Sequence, residues 1–376
     1  MEISVLGAGL VGRAIILDLS SAGEFAVTAV DNQKTNLDQL PGIILKKEMD
    51  VTQSGVLEQA VKEAELVVNA LPGAIGFQIL KRLIKAGKSV VDISFFPEDM
   101  LLLKSLAEEK GVTVICDMGV APGMSNLLAA YAARDFSVVK EVKIAVGGLP
   151  LIRTKPFEYK APFSPADVLE EYIRPARIVR NGEVVEVQPL SGLEAMEFDE
   201  VGSLEAFVTD GLRSLTTSLR AENMVEKTLR YPGYAEKIQL LKTIGFFDEK
   251  PVEVAGKLVK PFDVASQLLL PMWKLHEGEE DFTVMRISVE GLVDGKQQKV
   301  QWNLYDTYDR QKDIHSMART TGYAATAVTR LIAKGRFTRK GLFGAEQLAE
   351  TPQEVKTILD ELSVKGVVFT EKRSSG

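Results

Sequence analysis

"ISVLGAGLVGRAI" (Ile3–Ile15) decides the fold of this 376-residue chain. A short apolar run reads as a strand buried on both faces. Three glycines follow at once, and a helix-like segment begins among them. Gly7 permits a tight turn, Gly9 lets a diphosphate approach the backbone, and Gly12 lets strand and helix pack closely. The helix N-terminus then faces the phosphates. Ala8, Leu10 and Val11 complete this loop.

A second strand, "AVTAVD", ends in Asp31 about twenty residues past the last glycine, the spacing of a carboxylate on the adenosine ribose. Asp31, with Asn32 beside it, would repel a 2′-phosphate. NAD is therefore the expected cofactor, with Lys34 near enough to keep NADP open.

The alternation continues to about Asn126. "IILKKEMD", "ELVVNAL", "SVVDIS" and "VTVICD" read as further strands, separated by helix-like segments such as "GFQILKRLIKAG". Six strands with intervening helices make an α/β, doubly wound parallel sheet. Ligands bind beyond the carboxyl ends of such strands. Asp50 and Val51 end the third strand, where Asp50 either reaches the adenine or caps the next helix. Asn69–Gly73, "NALPG", ends the fourth, and Ala70, Leu71 and Pro72 are expected against the cofactor. Asp92 and Ser94 end the fifth, and Asp117 and Met118 the sixth, on the nicotinamide side. Asp92 and Asp117 are catalytic candidates, or else hydrogen-bond partners and helix caps.

Beyond Val138 the style changes to long, half-polar strands. Asn181-Gly182 and Asp294-Gly295 each sit between alternating runs, a strong hairpin signal. Ser164 with Pro165 reads as the start of a helix. This block reads as an antiparallel sheet with helices, a separate α+β domain. "IHSMARTTGYAATAVTRLIAKG" begins a long helix, and the last helices are expected to return to the first domain. The expected boundaries are 1–125, 126–312 and 313–376.

Net charge is −7, which counts against a nucleic-acid or anionic-membrane surface. No apolar run approaches a membrane span, and no secretory signal precedes the first strand, so a cytoplasmic protein is expected. The single cysteine, Cys116, excludes a disulfide framework, and two distant histidines, His276 and His315, give no local metal motif. No metal site is expected.

"GAGLVGRAI", "NALPG", "VVDIS" and "DMGVAPGMSN" together resemble the saccharopine dehydrogenase-like oxidoreductases. "SPADVLEEYIRPARIVRNG", "EAFVTDGLRSL" and "TLRYPGYAEKIQLLKTIGFF" are most similar to the lysine 6-dehydrogenase branch of that family. The resemblance implies a Rossmann-type domain interrupted by an α+β substrate and dimerisation domain, and a homodimer. It implies NAD-dependent oxidative deamination of the ε-amine of L-lysine, giving allysine, ammonia and NADH. Saccharopine dehydrogenase is the neighbouring reading, and a non-catalytic NAD-binding regulator is the reading from another class.

Such a reaction needs a group to take the proton of the amine and a cation for the amino-acid carboxylate. Arg230 in "TLRYPG" and Arg213 in "TDGLRS" are the candidates for the carboxylate, with Thr228 beside Arg230; an ion pair is the plain alternative for each arginine. Tyr231 joins Asp92 and Asp117 as a catalytic candidate. Arg174, Arg177 and Arg180 either line an entrance or decorate a strand.

Overall fold

The computed structural model describes residues 1–161, 165–276 and 278–375. The expected cap Ser164 lies outside the described residues. Among these residues, no helix is long and apolar enough to cross a membrane. The chain divides into two compact units. Unit 1 comprises 1–135, 217–219 and 317–369; unit 2 comprises 136–216, 220–316 and 370–376.

Unit 1 is a Rossmann-type sheet. Its strands are β1 (Glu2–Leu6), β2 (Ala26–Asp31), β3 (Leu45–Glu48), β4 (Leu66–Asn69), β5 (Ser89–Asp92) and β6 (Thr113–Cys116). A seventh, Gly341–Gly344, comes from the C-terminal part of the chain. The order is Gly341–Gly344, β6, β5, β4, β1, β2, β3, and the paired strands run parallel. Chain direction from β1 reverses its lateral progress between β4 and β2, so the crevice for a ligand opens at the end of β1. Leu66–Asn69 and Thr113–Cys116 are buried throughout, each with a three-residue apolar run as a strand covered on both faces requires.

Helix Gly73–Lys85 shows how side chains fix this layer. Phe77, Leu80, Leu83 and Ile84 recur at helical spacing and are buried in one cluster with Val67, Val90 and Val114 of the sheet. Each such side chain stabilises by about 1.5–3 kcal/mol on burial. The turn before helix Leu10–Ser20 is fixed sterically. Gly7 has φ +90°, and a Cβ on Gly12 would lie 2.0 Å from the Gly7 carbonyl oxygen, so neither position accepts a side chain without movement.

Helix Ser316–Ala333, from Met317 onward, belongs to unit 1. Arg330 on this helix lies 2.6 Å from Asp18 and 2.7 Å from Glu24, and Lys365 lies 2.6 Å from Asp18. Burial alone would raise the Asp18 carboxyl; the two cations outweigh that and hold it below its usual range. This buried cluster anchors the C-terminal helices to the helix that follows the glycine turn.

Unit 2 is a mixed, not purely antiparallel, sheet. Its strands are β7 (Val138–Pro150), β8 (Ala176–Arg180), β9 (Glu183–Val187), β10 (Glu194–Phe198), β11 (Gly202–Val208), β12 (Asn223–Arg230), β13 (Val252–Val254), β14 (Lys257–Val259), β15 (Asp281–Val293) and β16 (Lys296–Thr307). The main order is β10, β11, β12, β7, β15, β16, then Phe369–Ser375; β8 pairs with β12 and β9, while β13 and β14 form a separate ribbon. β7 and β12 run parallel, which the long intervening segment with its helix Pro165–Ile173 permits. Both expected hairpins form. Asn181 and Gly182, and likewise Asp294 and Gly295, have positive φ, which matches the twist of the flanking strands.

Residues 370–376 were expected to return with the helices. Strand Phe369–Ser375 instead joins the unit 2 sheet at its edge beside β16. Apart from Phe369 it is exposed, so the sequence carries no apolar alternation to announce it.

Candidate active site

In unit 1 the candidates gather at the carboxyl ends of β1, β2, β4, β5 and β6. Asp31 is buried there at 8% exposure. Its Oδ2 accepts from the backbone nitrogen of Ala8 at 2.6 Å and from Asn36 Nδ2 at 3.2 Å, and its Oδ1 accepts from Gln33 N at 2.7 Å. The carboxylate therefore fixes the first turn of the glycine loop while holding negative charge beside it. Lys34 is drawn away to Asp38 at 2.7 Å. Asn32 and Leu10 are exposed and Val11 half-buried along the loop.

The loop fits a dinucleotide. Among the described residues nothing lies within 4 Å of a Cβ placed on Gly9, whereas Gly7 and Gly12 are hemmed in by backbone. Open space at the middle glycine, at the start of helix Leu10–Ser20, is what a diphosphate requires. Ala70 lies against this turn: its carbonyl oxygen would be 2.6 Å from a Cβ on Gly7. Leu71 is half-buried and Pro72 exposed just before helix Gly73–Lys85.

Asp50 is engaged locally. Its Oδ1 accepts from the backbone nitrogen of Thr52 at 3.0 Å and from its hydroxyl at 2.6 Å, and Oδ2 from Gln53 at 3.2 Å; these donors lower its pKa. These contacts close a local turn at Asp50–Gln53; the helix cap expected of Asp50 does not form, because the next helix, Val56–Ala60, starts from Gly55 with no side-chain cap. Val51 is buried in the core.

The densest polar cluster is Asn69, Asp92 and Ser94, each at most 2% exposed. Asn69 and Asp92 are register partners across β4 and β5. Asp92 Oδ2 accepts from Asn69 Nδ2 at 2.6 Å; Oδ1 accepts from the Ser94 nitrogen at 2.9 Å and its hydroxyl at 2.7 Å. Burial pushes the Asp92 carboxyl up to about 7 against these donors, and the nearby Asp117 carboxylate adds to the rise. Asp117, 4% exposed with φ +54°, follows β6, and the Met118 nitrogen donates to the Asp92 carbonyl oxygen at 2.9 Å. Cys116 is buried beside them. Asn69 Oδ1 is a buried acceptor without a hydrogen-bond partner among the described residues. The sequence places Asn69 at the end of the fourth strand, in a segment expected against the cofactor, but does not single out its side chain; its alignment with Asp92 across two strand ends is the signal for it.

In unit 2, Arg230 is 2% exposed and lies 3.1 Å from Glu171. Its Nη2 also donates to Tyr159 Oη at 3.3 Å, and its guanidinium stacks on the Tyr159 ring, 4.2 Å from the centroid. Tyr172, Tyr234 and Trp273 continue this aromatic wall. Thr228 belongs to another chain of contacts. Its hydroxyl meets that of Thr209 at 2.8 Å, and Thr209 donates to Glu226 at 2.6 Å. Burial raises Glu226 to about 8, and the Glu171 and Asp210 charges add to the rise. Arg213, 3% exposed with φ +51°, lies 3.9 Å from Asp210, which Arg177 holds through 3.1 and 3.0 Å hydrogen bonds. Tyr231 donates to the Pro150 carbonyl oxygen at 3.0 Å, and Arg153 covers its ring. Arg319 donates to the Lys365 carbonyl oxygen at 2.8 Å within unit 1, and His315 meets the Glu279 carbonyl oxygen at 3.0 Å in unit 2. Arg213, Thr228 and Arg230 thus lie in one buried region of unit 2, and Tyr231 is turned to a separate backbone contact.

The saccharopine dehydrogenase NADP-binding domain model matches residues 3–115, and the saccharopine dehydrogenase C-terminal domain model matches 119–367. The chain belongs to the saccharopine dehydrogenase family. A saccharopine dehydrogenase [NADP(+), L-glutamate-forming] of Schizosaccharomyces pombe is 28% identical over 67% of this chain and 59% of its own length. A carboxynorspermidine synthase of Vibrio alginolyticus is 24% identical over 85% of this chain and 82% of its own. This chain spans only 21% and 29% of the alpha-aminoadipic semialdehyde synthases of Arabidopsis thaliana and Rattus norvegicus that it also matches. Among solved structures, an apo saccharopine dehydrogenase (L-Glu forming) from Saccharomyces cerevisiae shares the fold. The TM-score is 0.81, with 99% of each chain covered and 19% identity. Unit 1 therefore contains a nicotinamide-dinucleotide-binding domain of this family.

Proposed function

We propose that the chain is a nicotinamide-dinucleotide-dependent oxidoreductase that oxidises the carbon bearing an amine nitrogen in an amino acid of the lysine type. One observation carries this reading. The glycine loop with Asp31, then Asp92 and Asp117, lies along a single edge of the parallel sheet, at the ends of β1, β2, β5 and β6. When bound, the nicotinamide ring supplies the hydride acceptor. Asp31 orders the loop through Ala8 and disfavours a 2′-phosphate by like charge, which supports NAD over NADP although the relatives' names specify NADP.

Both Asp92 oxygens already accept hydrogen bonds, so we assign Asp92 a positioning role; Asp117, at the end of β6 on the same sheet edge, is assigned the proton transfer. The substrate nitrogen loses its proton as hydride leaves the adjacent carbon; water then adds to the C=N bond, and the C–N bond breaks to give an aldehyde and a free amine. Arg213 is assigned the amino-acid carboxylate. Arg230, already paired with Glu171, is assigned to ordering the aromatic wall of Tyr159, Tyr172, Tyr234 and Trp273.

Saccharopine is the substrate supported by the named relatives, whose hydride would leave the lysine ε-carbon and whose released amine is glutamate. The second reading is lysine itself. It is favoured by the pairing of Arg177 and Arg230 with acids of their own, which leaves fewer cations for a tricarboxylate. Reduced-cofactor absorbance with saccharopine or lysine, each with NAD and NADP, tests the proposal. Turnover of saccharopine supports the first reading and of lysine alone the second. Dinucleotide binding without turnover of either favours the regulatory reading.

A further inference from the structure

Asn69 ends β4, the strand next to β1 on the side away from the adenosine strand β2. Its register partner in β1 is Leu6, the residue before Gly7, and Ala70 after it rests on the glycine turn. Its amide is 0% exposed, and the two ends of that amide differ sharply. Nδ2 donates to Asp92 Oδ2 at 2.6 Å and lies 3.3 Å from Ser94 Oγ, while Oδ1 has no partner among the described residues. A buried acceptor left unmade is destabilising, so native structures rarely keep one without a use.

The orientation is enforced. Ser94 Oγ commits its proton to Asp92 Oδ1, so it can only accept from Asn69, and Nδ2 is the end of the amide that meets both Asp92 Oδ2 and Ser94 Oγ. The accepting end is thereby turned to the other side. Ser94 holds Asp92 from its own backbone and hydroxyl, so the carboxylate cannot swing to release the amide. The arrangement leaves one buried, unsatisfied acceptor at the carboxyl end of β4, beside the glycine turn.

We propose that Asn69 Oδ1 accepts a hydrogen bond from a donor on the nicotinamide riboside half of the dinucleotide, with Asp92 as the residue that positions it. This rests on the dinucleotide reading above and deepens it. On that side of β1 the ligand offers two kinds of donor, the ribose hydroxyls and the carboxamide N–H, and both meet an acceptor of this type.

The test is calorimetric binding of NAD, ADP-ribose and ADP to wild-type protein and to Asn69→Leu. Leucine keeps the volume and removes the acceptor. The expected result is NAD affinity lowered roughly ten-fold with ADP affinity unchanged. ADP-ribose falling with NAD assigns the ribose hydroxyl; ADP-ribose behaving like ADP assigns the carboxamide. Equal loss for all three ligands, or no loss for NAD, overturns the proposal. Asn69→Ser, smaller and still polar, gives the same series should leucine prevent folding. Failure of wild-type protein to bind any of the three would instead refute the dinucleotide reading itself.

Discussion

Asp31 Oδ2 accepts a 2.6 Å hydrogen bond from the backbone nitrogen of Ala8, joining the end of one strand to the turn that follows another. The carboxylate is therefore both a ligand candidate and a brace for the loop. Asp31→Ala should raise the dissociation constant of NAD by roughly 10- to 100-fold, the size of a lost charge-assisted hydrogen bond. Equilibrium binding measures it, and unchanged affinity would remove Asp31 from the site.

Gly12→Ala places a methyl group 2.0 Å from the Gly7 oxygen and 2.8 Å from its carbonyl carbon. Backbone must move, at a cost of about 1–3 kcal/mol. Melting should fall by roughly 3–10 °C, together with NAD binding. Gly9→Ala meets no protein atom, so it should spare the melting temperature while impairing NAD binding. Equal melting losses in the two variants would contradict this division of roles.

Asp92 links stability to pH in an unusual direction for an acid. Its carboxyl has an ordinary value of 3.8 and rises to about 7 in the folded chain. Between these values the folded state keeps a proton that the unfolded state has released. The contribution of this group is thus fully present below pH 3.8 and is lost as pH rises through about 7. Between pH 5 and 8, Asp92→Asn should show a smaller fall in unfolding midpoint than wild type. Parallel pH curves for the two proteins would place the proton elsewhere.

Arg230→Ala removes the guanidinium 3.1 Å from Glu171, whose side chain is 17% exposed. Breaking a buried pair costs about 3–5 kcal/mol, and the partial exposure of Glu171 sets the lower end here. The double variant Arg230→Met, Glu171→Gln should recover part of that loss, while NAD affinity stays at the wild-type value in both. A fall in NAD affinity matching the loss of substrate use would count against a role confined to unit 2.

The glycine loop, Asp31 and strands β1, β2, β4, β5 and β6 were legible because each depends on local rules: apolar runs, glycine at a strained turn, a carboxylate at a set spacing. The Asn-Gly and Asp-Gly hairpins were legible for the same reason. Gly341–Gly344 was not, since four residues with two glycines carry no strand signature; only the exposed edge of β6 makes a strand of them. The polar strand Phe369–Ser375 was hidden likewise. The partners of Arg230 come from Tyr159, Glu171 and Tyr172, 58 to 71 residues away, and pairing at that separation leaves no periodic trace. The segment holding Asn69 is legible as a strand end beside the cofactor, but the role of its side chain depends on Asp92, its neighbour across the sheet, which no local pattern reveals.

The seventh strand has a consequence for synthesis. During translation β6 emerges with one edge bare, and its neighbour Gly341–Gly344 follows only after more than two hundred further residues. At about 5–20 residues per second, the nascent sheet waits on the order of tens of seconds for its last member. Throughout that interval the edge is a template for mispairing, so a ribosome-associated chaperone has its strongest reason to bind this chain after residue 116 has left the exit tunnel and before residue 344 has.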